Sequence, residues 1–278
     1  MKWRSSLGGF VTALKGEAFV MGRTLSPWLL LVLPALVVVI RLLLTKAMSG
    51  TEPEAARYGY GHLVDAFATG LTLLYLVFIA YAAHSFAVDR DRGVLRHLFI
   101  RSVSRGQLVL AKLVLLHLLA LLSVLLVLLL AWVLSRWLWD LGPVVEDGFE
   151  LISEAEIHEE IRNGLLLALM PLPACLALGL LISVVARSAT QAVAVAVGLA
   201  LLVDLFKGIV GQGANYWYGS FQPSLVDQSY LGEVARIVRG YSDVLIDPGF
   251  QQLNLWVPLP QALIFVIAAL VVARRRTI

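Results

Sequence analysis

The chain has 278 residues, of which 59% are hydrophobic and only 15% charged, with a formal net charge of +3. Soluble domains carry about 25% charged residues, so a water-soluble enzyme and a nucleic-acid-binding module are both excluded as its main body. A single cysteine, Cys175, rules out an intrachain disulfide; set between Pro173 and Leu176 in apolar sequence, it reads as a buried, inert thiol.

In chain order, residues 1–26 come first. They alternate charges with Phe10, Val11, Leu14, Phe19 and Val20 at near-helical spacing, the pattern of an interfacial amphipathic helix lying on a membrane. Six apolar stretches follow, at residues 27–44, 66–88, 108–134, 165–185, 190–206 and 257–273. A bilayer core is crossed by about 20 apolar residues in a helix, and backbone polar groups in lipid must be satisfied within the segment. The fold class is therefore all-α: a polytopic membrane protein with six transmembrane helices, one domain over residues 1–278. The first stretch lacks a small-residue cleavage site after its long polar lead, so it reads as a retained span, not a signal peptide.

Lys and Arg favour one side by about two to one if both termini are cytoplasmic, with Arg90, Arg92, Arg96, Arg101, Arg105 and Lys112 in one connection and Arg274, Arg275 and Arg276 at the end. Trp132, Trp137, Trp139 and Trp256 then fall at the outer boundary, as an aromatic belt does.

The connection at 88–107 is the most informative loop. Val94, Leu95, Leu98 and Phe99 make one apolar stripe on a helix, with Arg92 and Arg96 on its flank. Such a helix docks into a groove on a soluble partner or lies on inner-leaflet phosphates. Asp89 and Asp91, Gly93-Val94-Leu95, Leu98-Phe99, the Ser104-Arg105 pair and Lys112 opening the third span resemble the cytoplasmic loop of ABC-2 type transporter permeases. Val94 stands where that family usually has Thr, and Ser102 where Pro is common. The Arg-rich ending is similar too. The resemblance implies a permease subunit of an ATP-driven exporter in a bacterial plasma (inner) membrane, paired with a second permease copy, identical or not. It also implies an ABC ATPase subunit that holds the ATP and Mg and meets this loop at Asp89, Asp91, Gly93, Leu95, Ser104 and Arg105. The sequence itself agrees with that division: it contains no G-x-x-x-x-G-K-[ST] phosphate loop, so no cofactor is expected on this chain.

Polar groups inside spans are costly and therefore candidates for function. His117, in the third span, reads as a packed imidazole bonding across helices or as a proton carrier. His84 lies near the inner end of span two. Arg41 is placed to snorkel outward from span one, and Asp65 reads as a polar end residue of span two. Asp204 and Lys207, three apart, pair on one helix face or form a substrate site. Pro171 and Pro173 predict a kink or break in span four, with or without a role in a pathway.

Two outer connections remain. Residues 146–162 are strongly acidic and read as a solvated helix, or as a metal-collecting site around His158. Residues 207–255 are too long for a simple link; glycines and aromatics precede a short amphipathic helix at 231–244. An intramembrane hydrolase and an ion-coupled carrier are the alternative functions. The first lacks a nucleophile–base pair at helical spacing, and the second lacks an acidic relay and a detectable internal repeat.

Overall fold

The computed structural model describes residues 2–48, 58–94, 103–146, 148–226, 229–241 and 248–275. Helix α1 (Lys2–Arg23) is followed by α2 (Leu25–Met48), α3 (Gly59–Asp91) and α4 (Arg105–Leu138). A hairpin of β1 (Val144–Glu146) and β2 (Phe149–Ile152) leads to α5 (Glu154–Leu169), α6 (Leu172–Val185) and α7 (Ala189–Val210). Short helices α8 (Tyr230–Ile237) and α9 (Pro248–Trp256) precede α10 (Pro258–Arg275). Among the described residues, six helical runs are long and apolar enough to span a membrane: α2, α3, α4, α5–α6, the run that starts with α7, and α9–α10.

Helix α3 is the axis of the bundle and packs against α2, α4, α6, α7 and α8. Of its most apolar stretch 56% is buried, against 22% for α2 and 11% for α9–α10. Gly70 explains part of this: a Cβ there would lie 2.6 Å from Val38 of α2 and 2.7 Å from Val127 of α4. Small residues that let helix axes approach are how helices associate in lipid, where hydrophobicity gives no net attraction between them. The outer faces keep Leu118, Leu125, Leu263 and Ile264 exposed, as a lipid-facing surface requires.

At Pro34 and Pro171 a backbone donor is missing within a span, and a neighbouring helix replaces it. Pro34 in α2 cannot bond the carbonyl of Leu30, and the Ser123 hydroxyl of α4 donates to it at 3.3 Å. Pro171 cannot bond the carbonyl of Leu167, and Asn254 of α9 donates its amide there at 3.1 Å. Tyr75 of α3 donates to the next carbonyl, Ala168, at 2.7 Å. Helix α5 stops at Leu169 and α6 starts at Leu172, so the break expected from Pro171 and Pro173 is present. Two of its loose carbonyls, Leu167 and Ala168, are satisfied by side chains, as the bilayer demands.

The structure departs from the sequence expectations at two connections. Residues 146–162 are not one acidic helix: the hairpin occupies the first part, and α5 starts at Glu154 because Ser153 and Glu156 form a capping box. Its acidic side chains are also partly engaged. The Tyr60 hydroxyl donates to Glu154 at 2.7 Å and sits 3.0 Å from His158 Nε2, and Tyr230 donates to Glu160 at 2.6 Å. The second departure is the helix expected at 231–244. It ends at Ile237, because the chain turns at Gly240 with φ +82° and its N–H bonds back to Ile237; residues 242–247 lie outside the described residues.

Candidate functional site

The bundle has two polar ends. At the end where α1, the C-terminus of α3 and the N-termini of α4 and α7 meet, the side chain of Lys112 is 7% exposed. Its Nζ lies 2.7 Å from Glu17 Oε2 and 2.6 Å from Asp89 Oδ2. Helix α1 reaches this point because Gly9 and Ala13, eight and four residues before Glu17, let it lie close along the start of α4; Ala13 is buried beside Val109 and Ala111. Burial pushes the Glu17 carboxyl above its ordinary range, and the attraction of Lys112 only partly offsets that.

Asp91, two residues beyond Asp89, accepts a 2.7 Å hydrogen bond from the backbone N–H of Ala189, the first residue of α7. A carboxylate at a helix N-terminus is favoured by the unpaired N–H groups and the helix dipole. Asp89 and Asp91 therefore tie the end of α3 to three other helices, α1 and α4 through Lys112 and α7 directly. Beyond them α3 closes with Arg92 N–H on Val88 and Gly93 N–H on Arg90. Gly93 has φ +71° with nothing within 4 Å of a built Cβ, so backbone conformation, not space, calls for glycine there. On the far side of the connection Ser104 caps α4 through a box with Gln107, and Arg105 is the first helical residue. Of the residues expected to meet an ATPase, Leu95 and Arg96 lie outside the described residues, as do Leu98 and Phe99 of the apolar stripe. A cavity of about 130 Å³ opens beside the ion cluster, lined by Glu17, Tyr81, His84, Asp89, Arg92 and Lys112 among others.

The opposite end, which carries the hairpin, holds two further clusters. Asp204 and Lys207 pair at 3.0 Å with side chains 7% and 1% exposed. Ser224 joins them, donating to Asp204 at 2.5 Å and accepting from Lys207 at 2.8 Å. The N–H groups of Leu225 and Val226 also donate to Asp204, at 3.0 and 3.3 Å. The expected pair is present, and it also pins the segment after α7 back onto that helix. In the second cluster Asp65 is not a simple polar end residue: Arg239 donates to both its oxygens, and Arg41 lies 3.4 Å away. Arg41 does not snorkel outward either. Its guanidinium bonds the Thr69 hydroxyl, one turn further into α3 than Asp65.

His117 Nδ1 is 2.8 Å from the carbonyl of Leu113 on its own helix, so the cross-helix bond expected of it is replaced by an intrahelical contact. Cys175 is buried, its thiol directed at the carbonyl of Tyr75 at 3.8 Å.

Residues 23–231 match the family model described as ABC-2 family transporter protein. The chain belongs to that family. No curated protein and no solved structure matches it. It is thus a multi-pass membrane permease, the transport subunit of a class that generally pairs with ATPase subunits, as the loop motif and span count implied.

Within this permease, the residues that sequence reasoning underrated are Glu17, Lys112, Asp65 and Arg239. In the sequence Lys112 reads only as the residue that opens the third span. Its position one to two turns inside an otherwise apolar helix was the available signal, since charge at that depth needs partners. The partners themselves are 95 residues away for Glu17 and 174 apart for Asp65 and Arg239, beyond any helical spacing rule.

Proposed function

We propose that this ABC-2 permease is the membrane half of an ATP-driven exporter, worked by a separate ATPase through the connection between α3 and α4. The supporting observation is the wiring at the root of that connection: Asp89 and Asp91 join the end of α3 to α1, α4 and α7. A push on the connection would reach four helices as one body. ATP closure on the partner supplies the push; this chain supplies the lever. Both termini are cytoplasmic in this scheme, α1 lies along the inner surface with Phe19 and Val20 exposed to lipid, the membrane is the bacterial plasma membrane, and two permease copies flank the path.

The apolar stripe of the connection would seat in the ATPase, and Arg92 and Arg96 would pair with acidic groups on it. The test is affinity purification of the tagged permease from its own host in mild detergent, with mass spectrometry for an ABC ATPase. Wild type should bring one down, and an Arg92→Glu, Arg96→Glu variant should lose most of it while inserting normally. Equal recovery of the ATPase by both forms, or labelling of an Arg92→Cys variant by an impermeant thiol reagent from outside the cell, sinks the proposal.

A further inference from the structure

A groove of about 460 Å³ lies between α2 and α3 near the hairpin end, within the roughly 300–1,000 Å³ of small-molecule sites. Its wall is apolar, with Val37 of α2, Leu73 and Leu76 of α3, and Leu225 from the segment that Asp204 pins. The hydroxyls of Thr69 and Thr72 are turned onto carbonyls of their own helix at 2.8 Å. Arg41 and Asp65 form the polar mouth. A smaller hollow shares Thr72, Leu76, Ser224 and Leu225 with the groove and continues it towards Asp204.

The charge at the mouth does not balance. Arg239 occupies both oxygens of Asp65, so among the described residues the second guanidinium, Arg41, leaves the cluster with one positive charge in excess. The Arg41 side chain is 42% exposed. It stands seven residues, about 10 Å, short of the last residue of α2, a depth at which a cation that shares its carboxylate with a second guanidinium gains from a further anion. A cationic mouth on an apolar groove open to the bilayer fits a molecule with an anionic head and a hydrocarbon tail.

We propose that the groove binds an anionic membrane lipid, its phosphate on Arg41 and one acyl chain along Val37, Leu73 and Leu76. As cargo, this lipid names the class of molecule the exporter handles, and that role rests on the function proposed above; the binding itself does not.

The test uses the full-length chain purified in detergent without any ATPase. Native mass spectrometry compares phosphatidylglycerol with phosphatidylcholine of the same chains, and then with inorganic phosphate. Phosphatidylglycerol should bind about tenfold more tightly than phosphatidylcholine, the size of one charge-assisted contact. Arg41→Gln should abolish that preference, Arg41→Lys should keep most of it, and Leu76→Trp should weaken phosphatidylglycerol by filling the groove. Should Arg41→Gln fail to fold, Arg41→Lys and Leu76→Trp still decide. Equal binding of the two lipids by wild type, unchanged phosphatidylglycerol binding in Leu76→Trp, or inorganic phosphate binding as tightly as the lipid each overturns the proposal. None of these results bears on ATPase recovery, and failure to recover an ATPase leaves them standing.

Discussion

The two polar ends of the bundle are built from the same residue types and do different work. Where α1 meets α3 and α4, one lysine sits between two carboxylates, and every bond runs from helix to helix. At the hairpin end Arg41 of α2 still meets α3, but most bonds run from connecting segments to helices: Ser224, Leu225 and Val226 to Asp204, and Arg239 to Asp65. The first arrangement ties four helix ends to one another. The second holds connecting segments down onto the spans. If the chain works as the exporter proposed above, the first end would receive force and the second would part to release cargo.

The sharpest way to break this contrast is Lys112→Met. It leaves Glu17 and Asp89 facing each other with no cation, and removing one member of a buried ion cluster costs about 3–5 kcal/mol. The thermal midpoint of the purified permease should fall steeply, and adding Glu17→Gln and Asp89→Asn to the same chain should restore much of it, since the uncompensated charge is then gone. A wild-type midpoint in Lys112→Met would mean that the cluster does not hold the four helices.

At the hairpin end the corresponding change is Asp65→Asn, and its effect should be local. The three side chains are 17–42% exposed, so solvent screens the cluster and the global loss should be only about 1 kcal/mol. Limited proteolysis should respond more than melting does, because the turn at Gly240 loses its anchor to α3 and the segment after α8 becomes open to cleavage. Equal loss of global stability in Asp65→Asn and Lys112→Met would erase the distinction between the two ends.

How much of this could be read beforehand follows the range of the interactions. The six spans, the break at Pro171 and Pro173 and the Asp204–Lys207 pair are set within one helix or one short stretch, and periodicity and composition find them. The hairpin was hidden because Val144, Val145, Phe149 and Ile152 stand among acidic residues that also suit a helix, and only the Ser153 cap fixes where the helix begins. The ion clusters join segments distant in sequence. Sequence rules say that Lys112, Asp65 and Arg41 need partners; they do not say which. The prolines show the same limit: Pro171 announces a missing donor, but the amide that replaces it comes from Asn254, 87 residues from the carbonyl it serves.

The finest test concerns the sign of the Glu17 titration, where two effects oppose each other in one carboxyl. Burial favours its neutral form, Lys112 favours its charged form, and burial wins, so its pKa in the folded permease lies above the ordinary value near 4.5. A group whose pKa is raised on folding takes up a proton as the chain folds. Its contribution to stability is therefore complete below pH 4.5 and is lost as pH rises through the raised value. Glu17→Gln removes this dependence, so the stability of wild type relative to Glu17→Gln should decline as pH rises above 4.5 through the raised value. The change should be smaller than that of either substitution above, because Lys112 offsets part of it. A difference that instead grows with pH would mean that attraction to Lys112 outweighs burial, and that the stiff end is held chiefly by charge. A difference that shrinks means that the close approach of α1 along α4, through Gly9 and Ala13, holds Glu17 in place against the cost of ionising it.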